Sequence, residues 1–291
     1  SRLQDIPQLS SVQIESKFTF ERIIGDGAEG VVYYGKHLQN DSNIATKKIK
    51  YRTSILRQVL KETKIQASLD HSSIPKVFDV FKDKDYIYIV EEYAHGRELF
   101  DILIERKLDE NECKLILRQL LDVVNHLHES GIVHGDIKAE NIIYDEKNKK
   151  IALIDYGSAR KVSNSSSKGI TGGSLAYMAP ELITGGNSTK ESDLWAIGVL
   201  FYTMIFGYPP FFSDEDYRNN STLLLNAPFW FLNNSDTEYL REEITKADLA
   251  NIDTVSPSLA TLIRTLLSID PQNRLTASEY LNHPYLIQEK E

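Results

Sequence analysis

The sequence predicts an α+β protein of two unequal parts: a small sheet carrying one helix, then a larger, mainly helical region. Short strand-like runs fill the stretch from Phe18 to Val90, separated by Gly, Asn, Asp and Lys turns. One segment of helical spacing interrupts them, and after Ala94-His95-Gly96 the apolar period becomes helical. At 291 residues the chain is long for one core, which favours two lobes with a ligand cleft between them. Residues 1–17 then form an N-terminal extension, 18–90 the first lobe, 91–96 a hinge and 97–291 the second lobe.

Each element has its own signal. Strands are expected at Phe18 to Ile24, Val31 to Tyr34, Ile44 to Ile49, Val77 to Phe81 and Tyr86 to Val90. Ser54 to Leu69 places Ile55, Leu56, Val59, Leu60 and Ile65 close to one helical face. Asp109, with Glu112 three residues on, opens a helix whose Leu117, Leu120, Val124 and Leu127 recur at intervals of three and four, ending near Gly131. Asn141 to Tyr144 and Lys150 to Leu153 are short strands. Leu194 to Phe212 is apolar almost to membrane-spanning length, but Gly207, Pro209 and Pro210 end its helical part after roughly 13 residues, so it reads as a buried core helix. Ser188-Thr189-Lys190-Glu191 has the form of its capping box. Ser163 to Gly173, dense in Ser and Gly, and Ser213 to Asp236, rich in Asn, read as loops, the first a candidate for regulation.

Charge and cysteine content narrow the partners. Lys plus Arg is 33 against 42 Asp plus Glu, a net charge of −9, which disfavours nucleic acid and anionic membranes and favours a cationic partner such as a basic peptide. The single cysteine, Cys113, cannot form an internal disulfide and fits a reducing compartment, cytoplasmic or nuclear. The start Ser1-Arg2-Leu3-Gln4-Asp5 is not that of a signal peptide; as the chain does not open on Met, an upstream targeting segment is left open.

Chemistry concentrates in a few motifs. Gly25-Asp26-Gly27-Ala28-Glu29-Gly30-Val31-Val32 lies between two strand signals, where a dinucleotide fingerprint would need a helix to follow, so it reads as a loop folding over nucleotide phosphates. Ile44-Ala45-Thr46-Lys47 follows, then His134-Gly135-Asp136-Ile137-Lys138-Ala139-Glu140-Asn141, Asp155-Tyr156-Gly157 and Ala179-Pro180-Glu181. In this order the set resembles a eukaryotic Ser/Thr protein kinase, from about Phe18 to Tyr285. The Glu98-Leu99-Phe100 and Gly207-Tyr208-Pro209-Pro210-Phe211 segments look like the calcium/calmodulin-dependent group.

The resemblance implies a bilobal fold whose first lobe is an antiparallel sheet. It implies Mg-ATP-dependent transfer of the γ-phosphate to Ser/Thr hydroxyls of a protein substrate, a reaction that rests on positioning and charge neutralisation. By the same resemblance Lys47 would hold the phosphates, tethered by Glu62; Asp136 would accept the hydroxyl proton, with Lys138 near the transferred group; Asn141 and Asp155 would hold Mg²⁺. Gly25, Gly27 and Gly30 would cover the phosphates, Val32, Ala45 and Ile143 would enclose the adenine, Glu98 would reach the ribose, and Glu92 belongs to the nucleotide set. Asp193 would brace the catalytic loop, and Arg274 would pair with Glu181.

Departures from the family pattern raise two alternatives, a pseudokinase acting as a nucleotide-binding or scaffolding module and a small-molecule kinase like the aminoglycoside and choline phosphotransferases. Gly135 stands where the family has Arg, Tyr156 where it has Phe, Glu29 at the glycine-loop tip, and Glu91 at the position gating the inner pocket. A carboxylate about 6 Å from a phosphate charge costs roughly 3 kcal/mol at an effective dielectric of about 20, and solvent at the loop tip reduces this. Without the Arg that Gly135 replaces, activity is expected not to require phosphate on Ser163, Ser165, Ser166, Ser167 or Thr171. Gln66, four residues after Glu62, is expected to join Tyr156 and Glu91 in a polar network that holds its helix inward.

Overall fold

A computed structural model describes residues 6–27, 30–162, 175–183, 186–211, 249 and 251–287. The chain divides into two compact units, Ser1–His95 and Gly96–Glu291. The first holds a short helix α1 (Ser11–Glu15), strands β1 (Arg22–Gly27), β2 (Gly30–His37) and β3 (Ser42–Lys50), helix α2 (Thr53–Ala67), and strands β4 (Val77–Lys82) and β5 (Tyr86–Glu92). All pairings in the sheet are antiparallel, in the order β1-β2-β3-β5-β4.

Period-two alternation along β5 builds two small cores. Ile87 and Ile89 point to one face, where they meet Ile49 of β3 and Val59 of α2. Tyr88 and Val90 point to the other, with Ile44, Phe81, Ile14 and Phe18. Phe18 lies before β1 and not inside it: it makes an isolated bridge to His37 and stacks on Phe81 at 5.7 Å. The first strand therefore starts later than its apolar residues suggest and runs on through Gly25 and Gly27, whose place is set by pairing with β2 through a register shift.

The second unit contains β6 (Arg97–Glu98), α3 (Leu99–Glu105), α4 (Glu110–Glu129), β7 (Ile132–Val133), β8 (Ile142–Asp145), β9 (Lys150–Leu153), β10 (Arg160–Lys161), α5 (Pro180–Ile183), α6 (Lys190–Phe206), α7 (Pro257–Leu266), α8 (Ala277–Leu281) and α9 (Pro284–Ile287). Asp109 caps α4 as expected, accepting the Glu112 N–H at 2.8 Å. For α6 the capping box sits one residue later than expected, between Thr189 and Ser192. Helix α6 is buried almost all round, from Ser192 to Phe201, and stops at Gly207. Among the described residues no helix is long and apolar enough to cross a membrane. Cys113 is fully buried in α4, and burial pushes its thiol up to about 12, which makes it inert. The predicted loops at Ser163 to Gly173 and Ser213 to Asp236 lie outside the described residues.

One ion-pair network ties α4 to the β8–β9 hairpin. Arg106 reaches Glu112 at 2.9 Å and Glu146 at 2.6 Å, and Lys149 reaches Glu112 at 2.9 Å. Hydrogen bonds from Arg106, with Lys149 adding to them, hold the Glu112 carboxyl down to about 2. A carboxyl with a lowered folded-state pKa stabilises the fold fully above its ordinary value and loses that contribution as it protonates. The expected outcome for Glu112→Gln is a shallower loss of melting temperature between pH about 4.5 and about 2 than in the parent. Coincident pH profiles would contradict it.

Candidate active site

In the first unit, sheet register gathers several of the predicted residues on one face. Val32 lies opposite Lys47, and Ala45, two residues earlier, shares that face. Across to β5, Lys47 faces Ile89 and Ala45 faces Glu91. Lys47 and Glu62 together line a cavity of about 230 Å³ that also includes Arg52, Ile55 and Val59. Glu92 is different. It pairs with Ile44, which faces the opposite core, and both its N–H and its carboxylate engage the Lys76 backbone at 2.8 and 3.3 Å. Its side chain is off the face that carries Lys47 and Ala45 for the same period-two reason that puts Glu91 on it.

Gly30 needs no ligand to explain it. Its φ is +146°, and a Cβ there would stand 2.3 Å from the Lys48 carbonyl oxygen, so close approach to β3 requires glycine. Gly27 has open space where a side chain would go, which leaves its place in the motif to a ligand or the turn. Residues 28–29, and with them Glu29, lie outside the described residues.

Gln66 follows Glu62 by one helical turn and is 5% exposed. Its amide nitrogen donates to Glu91 Oε2 at 2.7 Å and to the Pro75 carbonyl at 2.8 Å. Part of the expected polar network is thus present, as a tie from α2 to β5. Tyr156, fully buried, donates its hydroxyl to the Leu153 carbonyl at 3.1 Å, a partner three residues back at the end of β9 that the residue pattern did not suggest.

The second unit assembles the other predicted residues around Asp136. The Asn141 amide nitrogen donates to the Asp136 carbonyl at 2.7 Å and to its Oδ2 at 3.1 Å, and Lys138 Nζ stands 3.4 Å from the same oxygen. The Asn141 N–H₂ group being thus engaged, its Oδ1 is the end left for a cation. His134 fixes the turn from behind: Nδ1 accepts the Asp136 N–H at 3.2 Å, so Nε2 carries the proton it gives to the Ile154 carbonyl at 3.2 Å. The Ile154 N–H closes the loop on the Asn141 carbonyl at 2.9 Å. Asp155, the next residue, has φ +62°, a conformation rare outside glycine, and its Oδ1 accepts the Gly157 N–H at 3.1 Å. Glu98 and Ile143 face each other across β6 and β8. Burial, then Asp101 and Glu140, raise the Glu98 carboxyl above its ordinary range, with Lys138 opposing them.

Asp193 supports this loop, as expected. Its Oδ2 accepts the His134 N–H at 3.0 Å and lies 2.9 Å from His128 Nε2, while Oδ1 accepts the Gly135 N–H at 2.9 Å. The expected Arg274–Glu181 pair is bidentate at 2.6 and 2.9 Å, with the Arg274 side chain fully buried and stacked over Trp195. His128 was not singled out from the residues. The available signal was its position four residues after Val124, on the buried stripe of α4, where a polar residue needs a partner.

A model of the protein kinase domain matches residues 18–286. The chain belongs to the protein kinase family. It is 28% identical to a calcium/calmodulin-dependent protein kinase type 1 of Macrobrachium nipponense, over 94% of this chain and 76% of the relative. It is 31% identical to a probable myosin light chain kinase of Dictyostelium discoideum, over 93% and 83%. A probable serine/threonine-protein kinase of the same organism is 30% identical over 92% of this chain and 49% of its own length.

Gly135, where the resemblance leads to an expected Arg, has φ +80°, and a Cβ there would stand 3.1 Å from the Ser158 carbonyl oxygen and 3.2 Å from Ser188 Oγ. Gly135→Ala is expected to lower the stability of the second unit by about 1–2 kcal/mol, read from its urea transition. An unchanged midpoint and slope would show that the turn tolerates a side chain.

Proposed function

We propose that this chain transfers the γ-phosphate of Mg-ATP to Ser or Thr hydroxyls of protein substrates. The observation that carries the reading is the Asp136 carboxylate held by the Asn141 amide, with the Lys138 ammonium 3.4 Å away, on a turn buttressed by Asp193. Asp136 would take the proton of the acceptor hydroxyl, and Lys138 would counter charge on the transferred group. Asn141 Oδ1 and the Asp155 carboxylate are the hard oxygen donors that Mg²⁺ prefers. Lys47, with Glu62 on the same cavity wall, would hold the phosphates, and Val32, Ala45 and Ile143 would enclose the base, with Glu98 at the ribose. When bound, Mg-ATP supplies the phosphoryl group and a leaving group whose charge the metal neutralises. The preference for Ser/Thr rests on Lys138 in Asp-x-Lys-x-x-Asn and on the names of the relatives.

Asp136→Ala is expected to lower kcat by at least about 100-fold while nucleotide binding changes by less than about threefold, since the lost interaction belongs to the transition state. Transfer by this variant at the parental rate would exclude the mechanism, and a parent that binds nucleotide without transferring phosphate would make the chain a pseudokinase.

Basic residues near the acceptor form the second part of the proposal. Glu98, Asp101 and Glu140 interact electrostatically beside Lys138, and among the described residues the buried Glu140 Oε2 has no hydrogen-bond partner. A cationic side chain beside these carboxylates would relieve their mutual repulsion. A peptide library is expected to enrich Arg or Lys close to the phosphoacceptor, and Glu140→Gln to weaken the enrichment. A flat profile in the parent would reject it.

A further inference from the structure

Residues 6–17 precede the segment matched by the protein kinase domain, yet they are built into the first unit. The Pro7 carbonyl accepts the Lys82 N–H at 3.0 Å, the Leu9 N–H donates to the Lys82 carbonyl at 2.9 Å, and Gln8 bridges Lys82 in parallel. These bonds fasten the segment to Lys82, the last residue of β4, an edge strand of the sheet. Farther on, the Ser10–Gln13 capping box turns the chain into α1, and Ile14 and Phe18 sink into the core on the face away from α2. The segment is therefore pinned on one side of the edge strand independently of what it does on the other.

On that other side stands Ile6. It is 7% exposed and shares a cluster with Ile49, Val59, Ile87 and Ile89, against which Leu56 and Leu60 of α2 also pack. Val59 is three residues before Glu62, on the same stretch of α2. The helix has little to hold it by itself: Arg52 gives no side-chain cap, the first turn carries no acidic residue, and only Val59, Thr63, Ile65 and Gln66 are buried. Gln66 ties its last turn to Glu91 on β5. Ile6 joins the cluster that buries Val59, about two turns before that.

We infer that residues 6–9 are a strap that holds α2 against the sheet, and that Ile6 is a positioning residue acting on Glu62 through Val59. The catalytic part of this inference rests on the reading that Glu62 tethers Lys47 for phosphoryl transfer. The strap itself does not.

The test uses the full chain with Ile6→Ala, the conservative Ile6→Leu, and Val12→Ala as a control, Val12 being 74% exposed. In Ile6→Ala, amide hydrogen exchange in α2 should rise about tenfold with that of β3 and β5 held within about twofold, and kcat should fall about tenfold with KM for peptide unchanged. Ile6→Leu should restore both, and Val12→Ala should match the parent. Unchanged exchange in α2, or an equal rise across the sheet, would overturn the strap. An unchanged kcat alongside a loosened α2 would overturn the positioning role. A parent that transfers no phosphate would sink the proposed activity instead, and the exchange measurement alone would then decide the strap.

Discussion

The buried carboxylate of Asp193 is the constraint on which the second unit's chemistry depends. It is 2% exposed, and a charge so placed is tolerable only if donors replace the water it has lost. Those donors are the backbone N–H groups of His134 and Gly135 and the ring of His128. Two of the three belong to the turn that presents Asp136. Satisfying the buried charge and shaping the turn that carries Asp136 are therefore one event, and removing the carboxylate would strand buried donors at about 1–3 kcal/mol each. Helix α6 can carry such a group because its other residues from Leu194 to Phe201 are apolar and buried, which leaves its register no freedom to slide.

In the first unit the corresponding constraint is the alternation along β5. One set of side chains makes the core under α2, the other the core that receives Ile14 and Phe18. Because the period is two, Glu91 must lie on the α2 face and Glu92 on the other. Glu91 is consequently in reach of Gln66, and the amide–carboxylate bond is charge-assisted, the stronger kind. An acidic residue where the resemblance implies an apolar residue or Thr is thus accommodated by a second polar residue one turn after Glu62, a matched pair in place of two isolated anomalies.

Gly135 and Tyr156 are accommodated as locally. Gly135 occupies a left-handed turn crowded by Ser158 and Ser188, a place where glycine is the least strained residue. Tyr156 keeps the apolar burial expected of Phe, with its ring edge-on to His134 at 5.2 Å, and satisfies its hydroxyl on the Leu153 carbonyl.

What the residues alone determined was whatever depends on neighbours in sequence. The period of α4 and its Asp109 cap and the alternation of β3 and β5 were legible in this way. The groups around Asp136 were legible through resemblance, although Asn141 and His134 reach Asp136 across only five and two residues. Asp193 and the Arg274–Glu181 pair were legible only through resemblance, since their partners lie 59 and 93 residues away. Tertiary structure alone decided the rest: that His128 completes the Asp193 site from 65 residues off, that β1 begins at Arg22, that Tyr156 turns to Leu153, and that Ile6 joins the core cluster of Val59. An apolar or polar period says which face of an element needs a partner. Which distant segment supplies it is settled only when the chain closes on itself, because many segments of similar chemistry compete for the face and packing selects one.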